Sequence, residues 1–422
     1  MPRIGYILNQ YPAISHSFIL REVLALRKLG IEIDTFSIHR SDPAHLLARE
    51  DREEYGRTYA LRPIGMRSLL AAHVAAVRSR PRIYVQTLFK ALGRGRGSAR
   101  DVAWQLFYFL EAVPIWLQVN RAGLRHIHAH FTSPAADVAM IIAELGNRNA
   151  ASSWSFSAHG ADIQETDQTR LTDKIRSADG VVCVSDFGRS QLMAAVESAQ
   201  WPKIAVVHCG VDIEAFPVKG AASRAGRPLR ILNVGRLVSV KGQALLLEAA
   251  ALLAQRGLDY CLTIVGDGPL GNALRERTRE LGIEGSVEFT GSVGQDDIAT
   301  LYRDADLFCL PSLREGVPVV LMEAMASGVP VIASRIMGIP ELVEDGVTGL
   351  LVPPGRADAL ADAIMRLAGD RELCDRLARA ARGRISSDYE LHGCARQMAS
   401  LLADVAAVDG RPAPAPTGTR ST

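Results

Sequence analysis

The chain has 422 residues, of which 48% are hydrophobic and 22% charged, and its formal net charge is +2. This length predicts two or three domains, each with its own core. The small net charge gives no electrostatic case for binding nucleic acid. The six scattered cysteines, with no CxxC pair, indicate neither a zinc site nor a disulfide framework.

Short apolar runs alternate with amphipathic stretches in the first half of the chain. IGYIL (4–8) predicts a strand, residues 18–29 have the apolar spacing of a helix that ends at Gly30, and IEIDTFSI (31–38) alternates like a strand. Four further strand candidates follow: HIHAHF (126–131), WSFSAH (154–159), GVVCVS (180–185) and KIAVVHCG (203–210). Repeated strand–helix–strand units predict a doubly wound parallel sheet.

The same pattern restarts after a small, polar, glycine-containing stretch, KGAASRAGRP (219–228). The strand candidates of this second half are RILNVG (230–235), LTIVG (262–266), SVEFTG (286–291), DLFCLPS (306–312) and VPVIAS (329–334). We therefore predict an α/β protein with two Rossmann-like, doubly wound parallel-sheet domains. The predicted divisions are a first domain (1–215), a linker (216–228), a second domain (229–385), a C-terminal helix that crosses back to the first domain (386–408) and a disordered tail (409–422).

Neither a signal peptide nor a transmembrane helix is predicted, because no uninterrupted apolar stretch reaches ~18 residues. We therefore expect a cytoplasmic protein. Residues 62–100 contain nine Lys or Arg and no acidic residue, and the aromatic run WQLFYFL (104–110) follows. A basic amphipathic stretch of this kind, here 62–110, indicates either contact with an anionic membrane surface or lipid pyrophosphate, or a solvated helical face over the core.

Two glutamates stand eight positions apart in EGVPVVLMEAMASGVPVIAS (315–334). Pro318 suits the first turn of a helix and Gly328 suits its end, so Glu315 precedes this helix and Glu323 lies about two turns inside it. The free amides of the helix start then lie between two carboxylates, as a nucleotide sugar requires for its diphosphate and its hydroxyls. The competing interpretation is a solvated loop glutamate and a capping glutamate.

Two cations follow the first predicted strand of the second half. In NVGRLVSVKG (233–242), Gly235 ends the strand, and Arg236 and Lys241 lie in the loop that leads to a helix. At the carboxyl edge of a parallel sheet such a pair can clamp a diphosphate. The alternative is two ordinary surface cations.

A dinucleotide-like pattern and an acidic pair carry less weight. Gly266, Gly268 and Gly271 form GxGxxG in VGDGPLGNAL, but the strand before them is the second of its domain, and no acidic residue ends the next strand. A tight strand-to-helix turn explains the glycines without NAD. Asp304 and Asp306 form one DxD without further acidic ligands, which is weak support for Mg²⁺; we expect them to close a helix and to open a strand.

Histidines mark two predicted strand ends. His159 ends a strand at the edge where open sheets bind ligands, and Asp162 is placed to orient its ring or to cap a helix. The period of two in HIHAHF puts His126, His128 and His130 on one face of a strand. Because no further ligand supports zinc, we expect His130 near the cleft and the other two in structural roles.

Together these segments resemble the retaining glycosyltransferases of family 4, which have the two-domain GT-B fold. The resemblance runs from YILNQYPAISHSFILREVLALRKLG to the C-terminal helices. SHSFILREV, HAHFTSPAADVA and FSAHGADI are most similar to the exopolysaccharide, colanic-acid-type members. The most specific element is the E-x7-E motif of the family, here Glu315 to Glu323, with GRLVSVKG and GDGPL before it in the family's order.

The resemblance implies a role for each matching residue. Glu323 would hold the ribose hydroxyls, and Glu315 the hydroxyls of the transferred sugar. Gly316 and Val317 would lend amides, Arg236 and Lys241 would bind the diphosphate, His159 would lie by the donor sugar, and Gly235, Gly266 and Gly268 would complete the donor-binding loops. No metal or cofactor is implied beyond a UDP- or GDP-linked sugar as co-substrate.

The implied reaction is sugar transfer with retention to a lipid-linked or growing polysaccharide acceptor, across a cleft between the domains, on the inner face of the plasma membrane. One departure is that the loop after the first strand, NQYPAISHSF (9–18), lacks the glycines of many members, so Ser15, His16 and Ser17 are the candidates to line that edge. The alternatives are a non-catalytic sugar-nucleotide-binding protein, an NAD-binding oxidoreductase using Gly266, Gly268 and Gly271, and a nucleotide-sugar epimerase, for which E-x7-E lacks the acid/base pattern.

Overall fold

Two parallel sheets organise the computed structural model, which describes residues 3–13, 16–95, 98–146, 153–218 and 226–407. The first sheet has seven strands in the order β3-β2-β1-β4-β5-β6-β7. Its strands are β1 (Arg3–Gln10), β2 (Glu32–His39), β3 (Tyr59–Arg62), β4 (His126–His130), β5 (Ser153–Ala158), β6 (Gly180–Cys183) and β7 (Ile204–Val206).

The second sheet has six strands in the order β10-β9-β8-β11-β12-β13. They are β8 (Leu229–Val234), β9 (Tyr260–Val265), β10 (Val287–Gly291), β11 (Leu307–Leu310), β12 (Val331–Ser334) and β13 (Leu350–Val352). In each sheet the order changes direction beside the strand that comes first in the chain, at β1 between β2 and β4 and at β8 between β9 and β11. Open α/β sheets bind ligands at such a point, beyond the carboxyl ends of their strands.

Helices cover both faces of each sheet. Those of the first half are α1 (Ser17–Lys28), α2 (Arg49–Arg57), α3 (Met66–Ser79), α4 (Pro81–Arg94), α5 (Ala99–Arg121), α6 (Pro134–Leu145), α7 (Ala161–Glu165), α8 (Gln168–Ser177) and α9 (Asp186–Ala194). Those of the second half are α10 (Gln243–Gln255), α11 (Gly271–Glu280), α12 (Gln295–Asp304), α13 (Val319–Ala326), α14 (Ile339–Leu342), α15 (Ala357–Gly369), α16 (Arg371–Asp388) and α17 (Leu391–Ala407).

The central strands are continuous apolar runs because helices bury them from both sides. Every residue of β6 and β11 is buried. The predicted fold class, two doubly wound parallel sheets, is confirmed, and each predicted strand is present. The edge strands β3 and β13, of four and three residues, were not predicted.

The C-terminal helix α17 packs on the first-sheet domain. Its residues Leu391, Met398 and Leu402 belong to the same apolar cluster as Ile4 and Leu20. Backbone hydrogen bonds at Val211, whose N–H donates to Tyr389 O (2.9 Å) and whose carbonyl accepts from Leu391 N (3.1 Å), pair the two chain segments that pass between the domains.

The sheets divide the chain between Val206, where β7 ends, and Leu229, where β8 begins. Of the predicted linker, 219–225 lie outside the described residues, as do the last residue of the predicted C-terminal helix, 408, and the whole predicted tail, 409–422. The predicted division at 385 falls inside α16, which continues to Asp388.

The 23-residue helix α5 is long and apolar enough, by length and composition alone, to cross a membrane. More than half of its apolar window, 56%, is buried within the protein. Phe109, Val113 and Trp116 of this helix contribute to the core of the first-sheet domain. A buried core helix passes the same test of length and composition.

Candidate active site

The two domains meet where β5 and β11 end. A Cβ placed on Gly316 would lie 2.0 Å from His159 O, and one on Gly160 would lie 2.4 Å from Gly316 Cα. The loop after β5 therefore crosses the loop after β11 backbone to backbone, and both crossing positions require glycine. Gly160 also has a φ of +106°, which side chains other than glycine rarely adopt. The crossing brings His159 next to the E-x7-E segment.

Glu315 lies just before helix α13 and is held by two donors. Its Oε1 accepts hydrogen bonds from Lys241 Nζ (2.6 Å) and from Ser312 Oγ (2.7 Å), and the residue is only 7% exposed. Lys241 arrives from the loop after β8 and Ser312 from the end of β11. The predicted cation and the first predicted carboxylate are thus in direct contact.

Glu323 lies one turn inside α13, not two, because the helix begins at Val319 after Pro318 as N-cap. It is 2% exposed. Its Oε2 accepts from the Tyr302 hydroxyl (3.0 Å), and its Oε1 accepts from Arg21 Nη2 (2.7 Å). Burial and the adjacent carboxylate raise the pKa of Tyr302 well above its usual value, so the phenol stays protonated and donates.

Arg236 stands apart from these ion pairs. Its side chain is exposed, and its carbonyl is held by Gln243 Nε2 at 3.0 Å. Within the described part of the chain no carboxylate forms a salt bridge with its guanidinium. Burial lowers the pKa of His16, which follows β1, to about 4. The positive charge of Arg236 lies close enough to His16 to lower this pKa as well. Arg236 is therefore a free cation facing the first domain.

The GxGxxG glycines serve the packing of one loop on another. A Cβ on Gly266 would lie 2.1 Å from Gly235 O, and one on Gly268 would lie 2.6 Å from Leu237 O. Gly235 N donates to Val265 O at 2.9 Å, so the loop after β9 lies directly on the loop that carries Arg236. This packing accounts for Gly266 and Gly268 without a dinucleotide, and Gly271 is simply the first residue of α11.

A cavity of about 340 Å³ adjoins these loops. Polar side chains of Asp267, Asn272 and Arg275 line it together with Gly266 and Gly268. It opens at the carboxyl end of β9, on the same edge of the second sheet as the loop that carries Arg236. The edge therefore offers, in one row, a polar cavity, a free cation and two buried carboxylates.

His159 turns its ring inward. Its Nε2 lies 3.1 Å from His130 Nδ1 and its Nδ1 lies 3.9 Å from Cys209 Sγ, while the rings of Phe18 and Phe131 flank it. Burial and the neighbouring His130 lower its pKa well below the usual value, so the ring is neutral near pH 7. Asp162 Oδ1 accepts from the backbone N–H of His159, not from the ring.

Two of the three histidines of β4 have structural roles, as expected. His126 is bonded to Ser153 and Ser155, and His128 to Ser155 and Ser157, all between 2.7 and 2.9 Å, in a buried ladder with β5. His130 is also buried, and its Nδ1 faces His159 Nε2. In the described residues no three His, Cys, Asp or Glu side chains are grouped to hold a metal ion.

Asp304 and Asp306 have structural positions. Asp304 ends α12, and Asp306 precedes β11. Both oxygens of Asp306 accept from Arg227, at 2.7 Å each.

Four site residues were missed by sequence reasoning: Arg21, Tyr302, Ser312 and Gln243. Arg21 lies on an amphipathic helix, where a cation is usually solvated, and Tyr302 lies on another. Ser312 alone had a signal, because it is the last residue of the predicted strand DLFCLPS, which ends at the edge that carries the site. Of the predicted candidates for the loop after β1, Ser15 lies outside the described residues. The ring of His16 contacts that of Phe131, with centroids 4.9 Å apart and the planes tilted by 46°.

Two Rossmann-like domains that meet at the carboxyl edges of their sheets, with paired carboxylates and cations at that edge, define the architecture of a glycosyltransferase. Residues 219–384 match the family described as Glycosyl transferases group 1. The chain is 32% identical to the putative colanic acid biosynthesis glycosyltransferase WcaL of Escherichia coli K12 and 30% identical to that of Salmonella typhimurium LT2; each similarity covers 95% of this chain and 99% of the relative. The chain belongs to the group 1 glycosyltransferase family and is a transferase enzyme.

Other relatives and solved structures agree in architecture. The amylovoran biosynthesis glycosyltransferase AmsK of Erwinia amylovora is 29% identical, over 95% of this chain and 99% of its own. HepE of Anabaena, solved in complex with UDP and glucose, superposes with a TM-score of 0.71 at 20% identity, over 96% of this chain and all of its own. Sucrose-phosphate synthase of Thermosynechococcus elongatus gives 0.72 at 22% identity, over 96% and 99%. The GT-B fold is thereby confirmed.

Proposed function

We propose that this glycosyltransferase transfers a sugar, with retention, from a nucleoside-diphosphate sugar to a lipid-linked or growing polysaccharide acceptor in exopolysaccharide or cell-surface glycan biosynthesis. The observation that carries the proposal is the placement of two buried carboxylates, Glu315 and Glu323, around the start of α13 at the edge of the second sheet. The assignment to family 4 and the retention of configuration rest on the E-x7-E resemblance.

The donor fits this edge by charge. Its diphosphate would lie at the amides of Gly316 and Val317, which precede α13 at its positive end. Arg236 and Lys241 would supply the cations, and Glu323 and Glu315 would accept from the ribose and sugar hydroxyls respectively. The cavity beside Gly266 and Gly268 leaves room for the base.

The proposed reaction needs the leaving diphosphate to be stabilised. The acceptor hydroxyl oxygen attacks the anomeric carbon from the leaving-group face, and the bond from that carbon to the phosphate oxygen breaks. Its electron pair goes to the diphosphate, and a phosphate oxygen takes the hydroxyl proton. Arg236, Lys241 and the helix start meet the developing charge, which is the largest electrostatic demand of such a step.

The class of acceptor is inferred from relatives. WcaL and AmsK are named for colanic acid and amylovoran biosynthesis, and the similarity to both spans nearly the whole chain. Colanic-acid-type transfer is also the activity that SHSFILREV and FSAHGADI suggest.

A binding panel tests the proposal. We expect one class among UDP-, GDP- and ADP-sugars to raise the Tm of the wild type and to be hydrolysed slowly. Glu323→Ala is expected to lose that shift, because charge-assisted hydrogen bonds to a carboxylate contribute about 1.5–3 kcal/mol each. Glu344→Ala is the control, because Glu344 is exposed and has no hydrogen bond or salt bridge with Glu315 or Glu323. A wild type that responds to no nucleotide sugar, or a Glu323→Ala variant that responds as the wild type does, would contradict the proposal.

We also propose that the enzyme is cytoplasmic and binds the inner face of the plasma membrane through α3, α4 and the start of α5. Fourteen large hydrophobic residues are exposed in the described chain, and nine of them lie between 66 and 106. On α3, Met66, Leu70, Val74 and Val77 recur every three or four residues, so they form one stripe, 39% to 74% exposed.

Cations border this apolar surface. Five exposed cations, namely Arg67, Arg78, Arg82, Lys90 and Arg100, form no salt bridge with any residue in the described ranges. An exposed apolar stripe flanked by unpaired cations fits an anionic bilayer, in which the apolar side chains insert and the cations meet the headgroups. The alternative of a merely solvated face does not account for Phe89, which is 68% exposed.

Vesicle sedimentation tests the membrane proposal. We expect the wild type to sediment with phosphatidylglycerol-containing vesicles, less so as salt rises. Leu70→Ser combined with Phe89→Ser should remove most of the binding, since each buried apolar side chain contributes roughly 1.5–3 kcal/mol. Val347→Ser, at an exposed valine of the second domain, should sediment like the wild type. A wild type that stays in the supernatant with anionic vesicles would contradict the proposal.

A further inference from the structure

Arg21 reaches across the domain interface to the second E-x7-E carboxylate. It belongs to α1, yet its Nη2 lies 2.7 Å from Glu323 Oε1 and also contacts Gln295, the first residue of α12. Its guanidinium carbon lies 5.7 Å from the ring centroid of Phe216, in the segment that leaves the first sheet. The side chain is 14% exposed. One cation of the first domain is thus bonded to two helices of the second.

The contact leaves Glu323 with a defined capacity to accept hydrogen bonds. An ionised carboxylate has about four acceptor positions. Arg21 occupies one on Oε1 and Tyr302 occupies one on Oε2. About two remain, which equals the number of donors in a ribose diol. Because the two donors hold different oxygens, they fix the plane of the carboxylate.

Arg21 also has an unused donor. Its Nη1 is buried and has no hydrogen-bond partner among the described residues. Buried polar groups are rarely left unpaired, and an exception calls for an account. A ribose hydroxyl can accept a hydrogen bond as well as donate one. A ribose diol that donates to Glu323 would therefore bring a hydroxyl oxygen close to Arg21 Nη1, which could donate to it.

The ion pair has little value as a stabilising contact alone. Removing two charges from water costs about as much as their attraction returns, so buried pairs are poor support for stability. What the pair does provide is geometry, because the orientation of Glu323 depends on α1 being in place. When the domains part, Glu323 loses that partner.

We propose that Arg21 is a positioning residue for donor binding, which acts through Glu323 to align the carboxylate with the ribose diol when the domains are closed. This inference rests on the proposed function, since it takes Glu323 as the ribose carboxylate. Arg21 thereby makes recognition of the ribose in the second domain dependent on the first domain.

Titration calorimetry with UDP, GDP and ADP, and with the 2′,3′-dideoxy form of whichever binds, tests this role. The wild type should prefer the ribonucleotide. Arg21→Ala should lower the affinity for the ribonucleotide about 10- to 100-fold, the range that one charge-assisted hydrogen bond gives. The same substitution should change the affinity for the dideoxy form by no more than about twofold, because that form lacks the hydroxyls that Glu323 binds. Arg21→Lys should recover part of the preference, since it keeps the charge without the planar fork.

Glu165→Gln is the matched control. It breaks another cross-domain pair, Arg314 to Glu165 at 3.5 Å, in which the glutamate is 65% exposed and does not contact the E-x7-E carboxylates. The Glu165→Gln variant should prefer the ribonucleotide over the dideoxy form as strongly as the wild type does. Equal weakening of both nucleotide forms by Arg21→Ala, or no weakening, would overturn the inference.

Should Arg21→Ala fail to fold, Arg21→Lys carries the test, and an unchanged preference in that folded variant overturns the inference. A wild type that binds none of the nucleotides, or a Glu323→Ala variant with wild-type affinity, is a different result and contradicts the proposed function itself.

Discussion

Replacing Arg236 with alanine should lower kcat about 10²- to 10³-fold, the loss seen when one preorganised group that stabilises developing charge is removed. Arg236 is the free cation of the site edge: it is exposed, follows β8 directly and has no salt-bridge partner in the described residues. Because the Arg236 side chain forms no salt bridge in the described residues, its removal should change the free energy of unfolding by about 0.5 kcal/mol or less, as is usual for surface substitutions. Steady-state kinetics and a melting curve measure both quantities.

Arg230→Ala is the matched control for Arg236→Ala. Arg230 is also exposed and lies on the same strand, β8, but at its opposite end, away from the cleft. The kcat of the Arg230→Ala variant should equal that of the wild type. An Arg236→Ala variant with a kcat within about threefold of the wild type would contradict a diphosphate-stabilising role, for which a loss of about 10²-fold is the minimum.

Gly316→Ala should lower turnover by about two orders of magnitude, through geometry and not through charge. The added Cβ would lie 2.0 Å from His159 O and 2.9 Å from its carbonyl carbon. These are backbone atoms of the first domain, so no flexible side chain can yield, and the domains must separate at the crossing. A displacement of about 1 Å at a reacting centre can cost about 10²-fold in rate.

Overpacking at this contact should also lower stability by about 1–3 kcal/mol. Gly56→Ala is the control, because a Cβ there meets nothing within 4 Å and the residue lies in helix α2. That change should leave turnover unaltered and raise stability slightly. Gly316→Ala with wild-type turnover would show that the contact between the two loops is dispensable for the reaction.

The parts of the structure that local sequence determines were predictable. Apolar runs such as GVVC and LFCL specified buried parallel strands, and Pro318 with Gly328 bounded the helix that contains Glu323 and follows Glu315. The placement of Arg236 and Lys241 at a sheet edge followed from their position after a strand. Each of these inferences uses residues fewer than about 20 positions apart, over which backbone preferences act.

The contacts made across the cleft were not predictable in this way. Arg21 and Glu323 are 302 positions apart, and nothing near Arg21 in sequence distinguishes it from a solvated helix cation. The crossing of Gly160 and Gly316 likewise depends on how two domains meet. The placement of His159 beside the donor sugar stays a prediction, and the contacts of its ring with His130 and Cys209 join strands that no local pattern pairs.

A crystal structure with the nucleoside diphosphate that the binding panel identifies would show whether the donor diphosphate lies at the start of α13, between the two carboxylates. We expect phosphate oxygens at the amides of Gly316 and Val317 and at Arg236 and Lys241, with ribose hydroxyls on Glu323. A diphosphate bound at the glycines of 266–271, with Glu323 still bonded only to Tyr302 and Arg21, would contradict it.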